Sequence, residues 1–137
     1  MWVFYALLSA FFAALTAILA KLGVAAVNSN LATAIRTIVI LVVAWSIVLF
    51  KGEAKELFAI PRQSLFFLMV SGVTTGLSWL FYFKALQLGK VSQVAPVDKL
   101  SVALTIVLSV IFLKEVLTLK VAIGALLIIM GTLVLIW

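Results

Sequence analysis

Five apolar runs, each about as long as a lipid bilayer is thick, constrain this chain more than any other feature of its sequence. A helix of about 20 apolar residues crosses the hydrocarbon core of a membrane. The chain is 67% hydrophobic and 10% charged, whereas an average soluble domain is about half apolar and about a quarter charged. The sequence therefore predicts an all-α integral membrane protein, a single domain over 1–137 with five transmembrane helices. Their expected bounds are 2–20, 31–50, 64–83, 96–113 and 117–137.

Turn-forming residues separate the five runs. Asn28 is expected to cap the second helix, and Pro61 precedes the third. Pro96 is expected in the first turn of the fourth helix, because its missing amide proton is tolerated there. The longest connection, 51–63, is expected to form an interfacial turn at 55–58.

Two other membrane classes fit the sequence less well. A cleaved signal peptide needs a basic segment ahead of a short apolar core, but no basic residue precedes the first run, which has full bilayer length. Strands of a membrane β-barrel alternate polar and apolar residues, whereas these runs are continuously apolar. Helices then remain as the structure that satisfies the backbone hydrogen bonds in lipid.

The composition argues against an enzyme and against a nucleic-acid-binding protein. The chain has no His, no Cys and only four acidic residues, so zinc sites and Cys or His catalysis have no residues to use, and we expect neither a metal nor a cofactor. Its net charge is +6 and its pI about 10.0. The cations lie at the ends of the runs instead of on one face, so we expect membrane lipid as their partner, not nucleic acid.

The basic residues divide evenly between the two sides of the membrane. One side receives Lys51, Lys55, Arg62, Lys114 and Lys120, and the other receives Lys21, Arg36, Lys84, Lys90 and Lys99. Orientation follows an excess of Lys and Arg in cytoplasmic loops, so this sequence favours neither orientation. A chain that inserts both ways can form antiparallel homodimers, and thus inverted repeats. The alternative is that a weak bias still selects one orientation.

Arg36 is the strongest candidate for a solute-binding residue. It lies about one and a half turns inside the second run, where a charge is costly unless it faces a partner or a cavity. Two structural alternatives remain, namely snorkelling to the interface and pairing with Asp98. Asp98 is the one carboxylate expected to approach the membrane interior, and Asp98 and Lys99 are expected to add polarity to the solute-binding site. Lys99 adjoins Asp98 and has the same structural alternatives as Arg36. Adjacent helical residues point about 100° apart, so these two are not expected to face one partner.

The third run contributes aromatic and small residues. Ser78, Trp79 and Tyr82 are expected to line a pocket for a solute, with Ser78 and Tyr82 providing hydrogen bonds. An interfacial aromatic belt is the alternative. Gly72 and Gly76 form a GxxxG pattern that lets helices approach closely, within the chain or between chains.

Gly124 and Gly131 are spaced by seven residues in the fifth run and lie on nearly one face, so they predict a second packing seam. Other notable segments are FKALQLG at 83–89, VAP at 94–96, KE at 114–115, and GALLI at 124–128 followed by Gly131. With these segments and Arg36, the chain resembles the EamA domain of the drug/metabolite transporter superfamily over essentially its whole length. Arg36 stands where such domains often have Arg.

The resemblance implies one EamA-type repeat of five helices. Most such proteins have two repeats of inverted topology and export amino acids, metabolites or drugs. A chain with one repeat is then expected to be a half-size transporter for a small metabolite, amino-acid-like solute or drug. It would export by alternating access across the inner membrane, as a homodimer, antiparallel or not, or with a sister half-transporter.

The fifth run also resembles the dimerisation helix of small multidrug resistance proteins. Two departures are visible: Lys114 stands where the family usually has Gly, and no acid lies in the first run, where the small multidrug proteins carry Glu. A non-transporting membrane subunit that assembles with a partner transporter half is the alternative function.

Overall fold

The apolar runs are helical in a computed structural model that describes residues 1–137. Five helical spans are long and apolar enough to cross a membrane, so the predicted all-α multi-pass class is confirmed. The fourth span consists of two consecutive helices. The helices are α1 (Trp2–Val24), α2 (Ser29–Phe50), α3 (Arg62–Leu88), α4 (Val91–Asp98), α5 (Leu100–Phe112) and α6 (Leu119–Ile136), with a 3₁₀ helix at Glu53–Ala59.

Side-chain caps define where two of the helices begin. The Asn28 side chain accepts a hydrogen bond from the Asn30 amide at 2.9 Å, as the sequence predicts for the start of α2. The Thr118 hydroxyl accepts from the Val121 amide at 3.3 Å at the start of α6. Each cap satisfies an amide that has no partner within its own helix.

The expectation that the fourth helix begins at Pro96 is wrong. The Lys90 carbonyl accepts from the amides of Gln93 and Val94, so α4 begins at Val91 and Pro96 lies inside it. Because proline has no amide proton and its ring disfavours a continuous helix, the helix ends soon after it. The Lys99 amide bonds to the Pro96 carbonyl at 3.0 Å, a tight three-residue turn, and α5 then starts.

The third helix is longer at both ends than the sequence predicts. It starts at Arg62, directly after Pro61, and continues five residues past Phe83 to Leu88. The added residues at the end of α3 include the polar Lys84 and Gln87. Neither residue opposes helix formation, so the backbone remains helical there.

The connection after α2, where an interfacial turn is expected at 55–58, contains a 3₁₀ helix, Glu53–Ala59. Gly52 precedes it with φ of 72°, a left-handed conformation that glycine adopts without a steric penalty. The Lys51 ammonium lies 3.8 Å from the Glu53 carboxylate. Phe58, in the same 3₁₀ helix, is 94% exposed.

The chain divides into two compact units. One comprises 1–18 and 88–137, and the other comprises 19–87. In the first unit, the Thr132 hydroxyl of α6 donates to the Pro96 carbonyl at 3.2 Å, which ties α6 to the end of α4. In the second unit, Val24, Phe83 and Leu86 are the most completely buried side chains, and this unit contains the candidate site.

Candidate functional site

The candidate site is built around the guanidinium of Arg36. Arg36 lies seven residues after the start of α2, about 10 Å along the helix axis. Its Cζ atom is 4.4 Å from the ring centroid of Phe83 and 5.5 Å from that of Trp79. Both distances fall within the range of cation–π attraction, so two rings of α3 form a wall against the charge.

The regular spacing of α3 produces this wall. Trp79, Phe83 and Gln87 are each four residues apart and therefore share one face of the helix. Phe83 is only 1% exposed, and Trp79 is half-buried. Tyr82 packs edge to face against Phe83, with 6.0 Å between ring centroids.

Arg36 has no carboxylate partner in the chain. The two ion pairs are Lys51 with Glu53 and Lys99 with Asp98, and none of the side-chain hydrogen bonds involves Arg36. A guanidinium carries five N–H donors, and the aromatic faces occupy none of them. The side chain is half-buried, so its donors remain open to a ligand.

Other polar groups near Arg36 on α2 already have partners. Ser29 and Thr33 are buried, and the Thr33 hydroxyl donates to the Ser29 carbonyl at 2.9 Å. The Thr37 hydroxyl donates to the Thr33 carbonyl at the same distance. Such bonds to the preceding turn satisfy hydroxyls inside a helix. The two threonine hydroxyls nearest Arg36 on α2 are therefore already hydrogen-bonded.

A polar cluster lies one turn beyond the aromatic wall, and we call it the Lys21–Gln87 cluster. The Lys21 ammonium donates to the Leu86 carbonyl at 2.6 Å. The Gln87 amide nitrogen donates to the carbonyls of Val24 and Val27, at 3.3 and 3.1 Å. The cluster thereby connects the end of α1 and the following turn with the end of α3.

The structure brings together half of the predicted solute-binding residues. Arg36, Trp79 and Tyr82 lie in one group, within the unit formed by 19–87. Ser78 is on the same helix but exposed. Asp98 and Lys99 belong to the other unit, where they pair with each other at 3.3 Å. The solute-binding role of all six residues stays a prediction.

Two contributors to this region were absent from the predicted site. Phe83 lies four residues after Trp79 and therefore shares its helix face, but the sequence alone does not indicate that this face packs against α2. Phe81 falls on another face and is 74% exposed. Gln87 gave no comparable signal, because its partners lie more than fifty residues away along the chain.

The predicted packing glycines lie beside open space. A Cβ atom placed on any of the four, Gly72, Gly76, Gly124 and Gly131, would meet no heavy atom within 4 Å. Close approach of another helix of this chain is therefore not observed at these positions. Packing between chains stays a prediction.

Comparisons with known proteins identify the relatives of this chain. The sequence profile of the EamA-like transporter family matches residues 1–137. A Sinorhizobium protein named "Uncharacterized transporter in cobO 3'region" is 50% identical over 134 residues, which cover 98% of this chain and 95% of that protein. An uncharacterized protein of Methanocaldococcus jannaschii is 37% identical over 81 residues, 59% of each chain. No solved structure matches this chain.

Proposed function

The chain belongs to the EamA-like transporter family, and from this premise we propose that it is a half-size transporter for a small solute that carries a carboxylate. Amino-acid-like metabolites are the leading class, and acidic drugs share the same chemistry. Arg36 binds the carboxylate, and the rings of Trp79 and Phe83 hold the guanidinium in place. Tyr82 adds a hydroxyl at the edge of this site.

The open guanidinium of Arg36 is the observation that carries this proposal. A charge at this depth in a span is costly unless a partner neutralises it, and the chain supplies aromatic rings without a carboxylate. Rings that cover the guanidinium face leave its edge free, and this edge matches a carboxylate with two parallel hydrogen bonds. A carboxylate solute would therefore complete the site.

The alternating-access part of the proposal requires a dimer. Transporters of this kind work through two repeats that rock around a site near the membrane midplane, and this chain supplies one five-helix repeat. The Sinorhizobium relative has about the same length, because the aligned 134 residues are 95% of it. A second copy, parallel or antiparallel, would provide the other half. Export across the inner membrane follows from the resemblance to exporting members of the superfamily.

Substrate counterflow in proteoliposomes tests the proposal without knowledge of the coupling ion. Vesicles containing the protein are loaded with one unlabelled amino acid, and entry of the same labelled compound is followed. The matched probe for each amino acid is its primary amide, which lacks the carboxylate. We expect at least one carboxylate compound to exchange, its amide to exchange poorly, and Arg36→Gln to abolish the exchange. If the amides exchange equally well, or if Arg36→Gln is as active as the wild type, the assigned site is wrong.

A further inference from the structure

We infer that Lys21 and Gln87 are positioning residues. They fix the axial position of α2 relative to α3 and thereby place the Arg36 guanidinium against the ring of Phe83. The inference rests on the proposed function for its effect on solute binding. Its structural content, the placement of Arg36, can be tested without any solute.

The two residues cap each other's helices. The Lys21 ammonium, in the last turn of α1, donates to the Leu86 carbonyl near the end of α3. The Gln87 amide, in the last turn of α3, donates to the Val24 carbonyl at the end of α1. The last four carbonyls of a helix lack partners within it, and a cation there also interacts favourably with the helix dipole. Each helix end is therefore satisfied by a side chain of the other.

The second hydrogen bond of Gln87 extends this link to α2. Its acceptor is the Val27 carbonyl at 3.1 Å, and α2 begins two residues later, at Ser29. The three interactions therefore fix the turn that leads into α2 against the last turn of α3. Ser29, at the first position of α2, is only 3% exposed, so this end of the helix is held by packing as well as by hydrogen bonds.

Helix geometry converts this fixed end into the position of Arg36. Phe83 lies four residues, about 6 Å, before Gln87 along α3, and Trp79 lies about 12 Å before it. Arg36 lies about 10 Å into α2 from Ser29. The helix α2 leaves the turn beside Gln87 and runs back along α3. The Arg36 guanidinium therefore lies at the level of the Trp79 and Phe83 rings. A slip of α2 by one residue would move Arg36 by about 1.5 Å along the axis.

The side-chain chemistry fits a positioning role better than a lipid-anchoring one. Lys21 is half-buried and donates to protein at 2.6 Å, whereas a lysine that anchors a helix in lipid extends its ammonium to the headgroups. The Lys84 ammonium also donates to the side-chain amide oxygen of Gln87, Oε1, at 3.4 Å. This contact orients the side-chain amide so that its nitrogen faces α1. Both ends of the Gln87 amide are thus occupied.

The emission of Trp79 provides a direct readout of the placement. In a protein whose Trp2, Trp45 and Trp137 are replaced by Phe, Trp79 is the sole indole, and the Arg36 charge lies 5.5 Å from its ring. Arg36→Gln defines the emission maximum and the acrylamide quenching constant expected when the cation is absent. The variants are Lys21→Met and Gln87→Met. Methionine is similar in length to both side chains but has no N–H hydrogen-bond donor. All measurements use the full chain in nanodiscs.

We expect both Met variants to shift the ligand-free emission and quenching toward the Arg36→Gln values, while Lys21→Arg, which keeps N–H donors, retains the wild-type values. The matched control is Lys90→Met, an exposed lysine at the same end of α3. If a Met variant is not folded, Gln87→Asn replaces it, since the shorter amide cannot reach both carbonyls. For a counterflow substrate, the affinity should fall about tenfold in each Met variant, because a displaced Arg36 loses one of its two proposed hydrogen bonds to the carboxylate.

Variants that melt at lower temperature but keep the wild-type Trp79 signal would overturn the inference, because Lys21 and Gln87 would then only stabilise the fold. The proposed function fails separately. If no carboxylate compound exchanges in the wild type, the ligand-free emission still decides whether the Lys21–Gln87 cluster positions Arg36.

Discussion

The guanidinium carbon of Arg36 lies 4.4 Å from the ring centroid of Phe83, a side chain that is only 1% exposed. Neighbouring side chains fix a buried ring in place, so the Phe83 ring restricts the position of the Arg36 guanidinium. The chain provides these aromatic faces to the guanidinium but no carboxylate, and a charge inside a membrane span is costly without a partner.

Replacing Arg36 should weaken solute binding according to the geometry of the replacement. Arg36→Lys keeps the charge but loses the planar fork, and should reduce the affinity for a carboxylate roughly tenfold. Arg36→Gln removes the charge and should reduce it by roughly a hundredfold. Titration of the purified variants with a counterflow substrate measures both values. Arg62→Lys at the exposed start of α3 is the control, and equal losses in Arg36→Lys and Arg62→Lys would contradict the assignment.

Phe83 and Phe81 should respond differently to the same substitution. Phe83→Leu leaves a gap beside Arg36 and should lower the free energy of unfolding by about 1–2 kcal/mol. Phe81→Leu, on an exposed face of α3, should change it by less than about 0.5 kcal/mol. Thermal unfolding in nanodiscs measures the difference. Equal effects of the two substitutions would mean that the buried face of α3 has been misassigned.

These two phenylalanines also illustrate how far the sequence predicts the site. The apolar runs specify five helices, because length and hydropathy alone decide whether a helix can span a bilayer. The depth of Arg36 follows from its position within its run. The choice between Phe81 and Phe83 does not follow from the sequence. Apolar residues occur around the whole of α3, so the sequence does not indicate which face packs against α2.

The remaining differences between expectation and structure have local or long-range causes. Pro96 is compatible with a first turn, but the Lys90 carbonyl begins the helix earlier, and a preference for one position does not exclude another. The Lys21–Gln87 cluster depends on helix ends about sixty residues apart meeting in space. No local pattern in the sequence encodes that approach.

Replacing Lys114 with glycine should stabilise the folded protein. Lys114 has φ of 55°, a left-handed conformation that costs a residue with a side chain about 1–2 kcal/mol. Glycine also gains freedom in the unfolded chain, so Lys114→Gly should raise the free energy of unfolding by a net of about 0.5–1 kcal/mol. Lys120→Gly, within α6, should instead lower the free energy of unfolding by up to about 1 kcal/mol. Thermal unfolding of both variants gives the signs, and destabilisation by Lys114→Gly would count against this conformation.

Leucine substitutions at the glycines should separate folding from association. Added side chains at these positions meet open space within the chain, so the folded monomer should tolerate them. If α6 forms the dimer seam, Gly124→Leu with Gly131→Leu should weaken dimerisation, whereas Gly72→Leu with Gly76→Leu should not; a seam on α3 gives the reverse. Sedimentation in detergent measures the association. If neither pair changes it, both glycine patterns are excluded as seams. A wild-type chain that remains monomeric would favour the non-transporting subunit.

Orientation in the membrane is decided by cysteine labelling, because the chain has no cysteine of its own. Glu53 lies after α2 and Ser92 after α3, both are exposed, and the five spans place them on opposite sides of the membrane. In intact cells that express Glu53→Cys or Ser92→Cys, an impermeant thiol reagent reacts only with outward-facing sites. The even distribution of Lys and Arg predicts partial labelling of both variants, in which case one gene supplies an antiparallel pair. Complete labelling of one variant and none of the other would instead require a parallel dimer or an oppositely inserted sister protein.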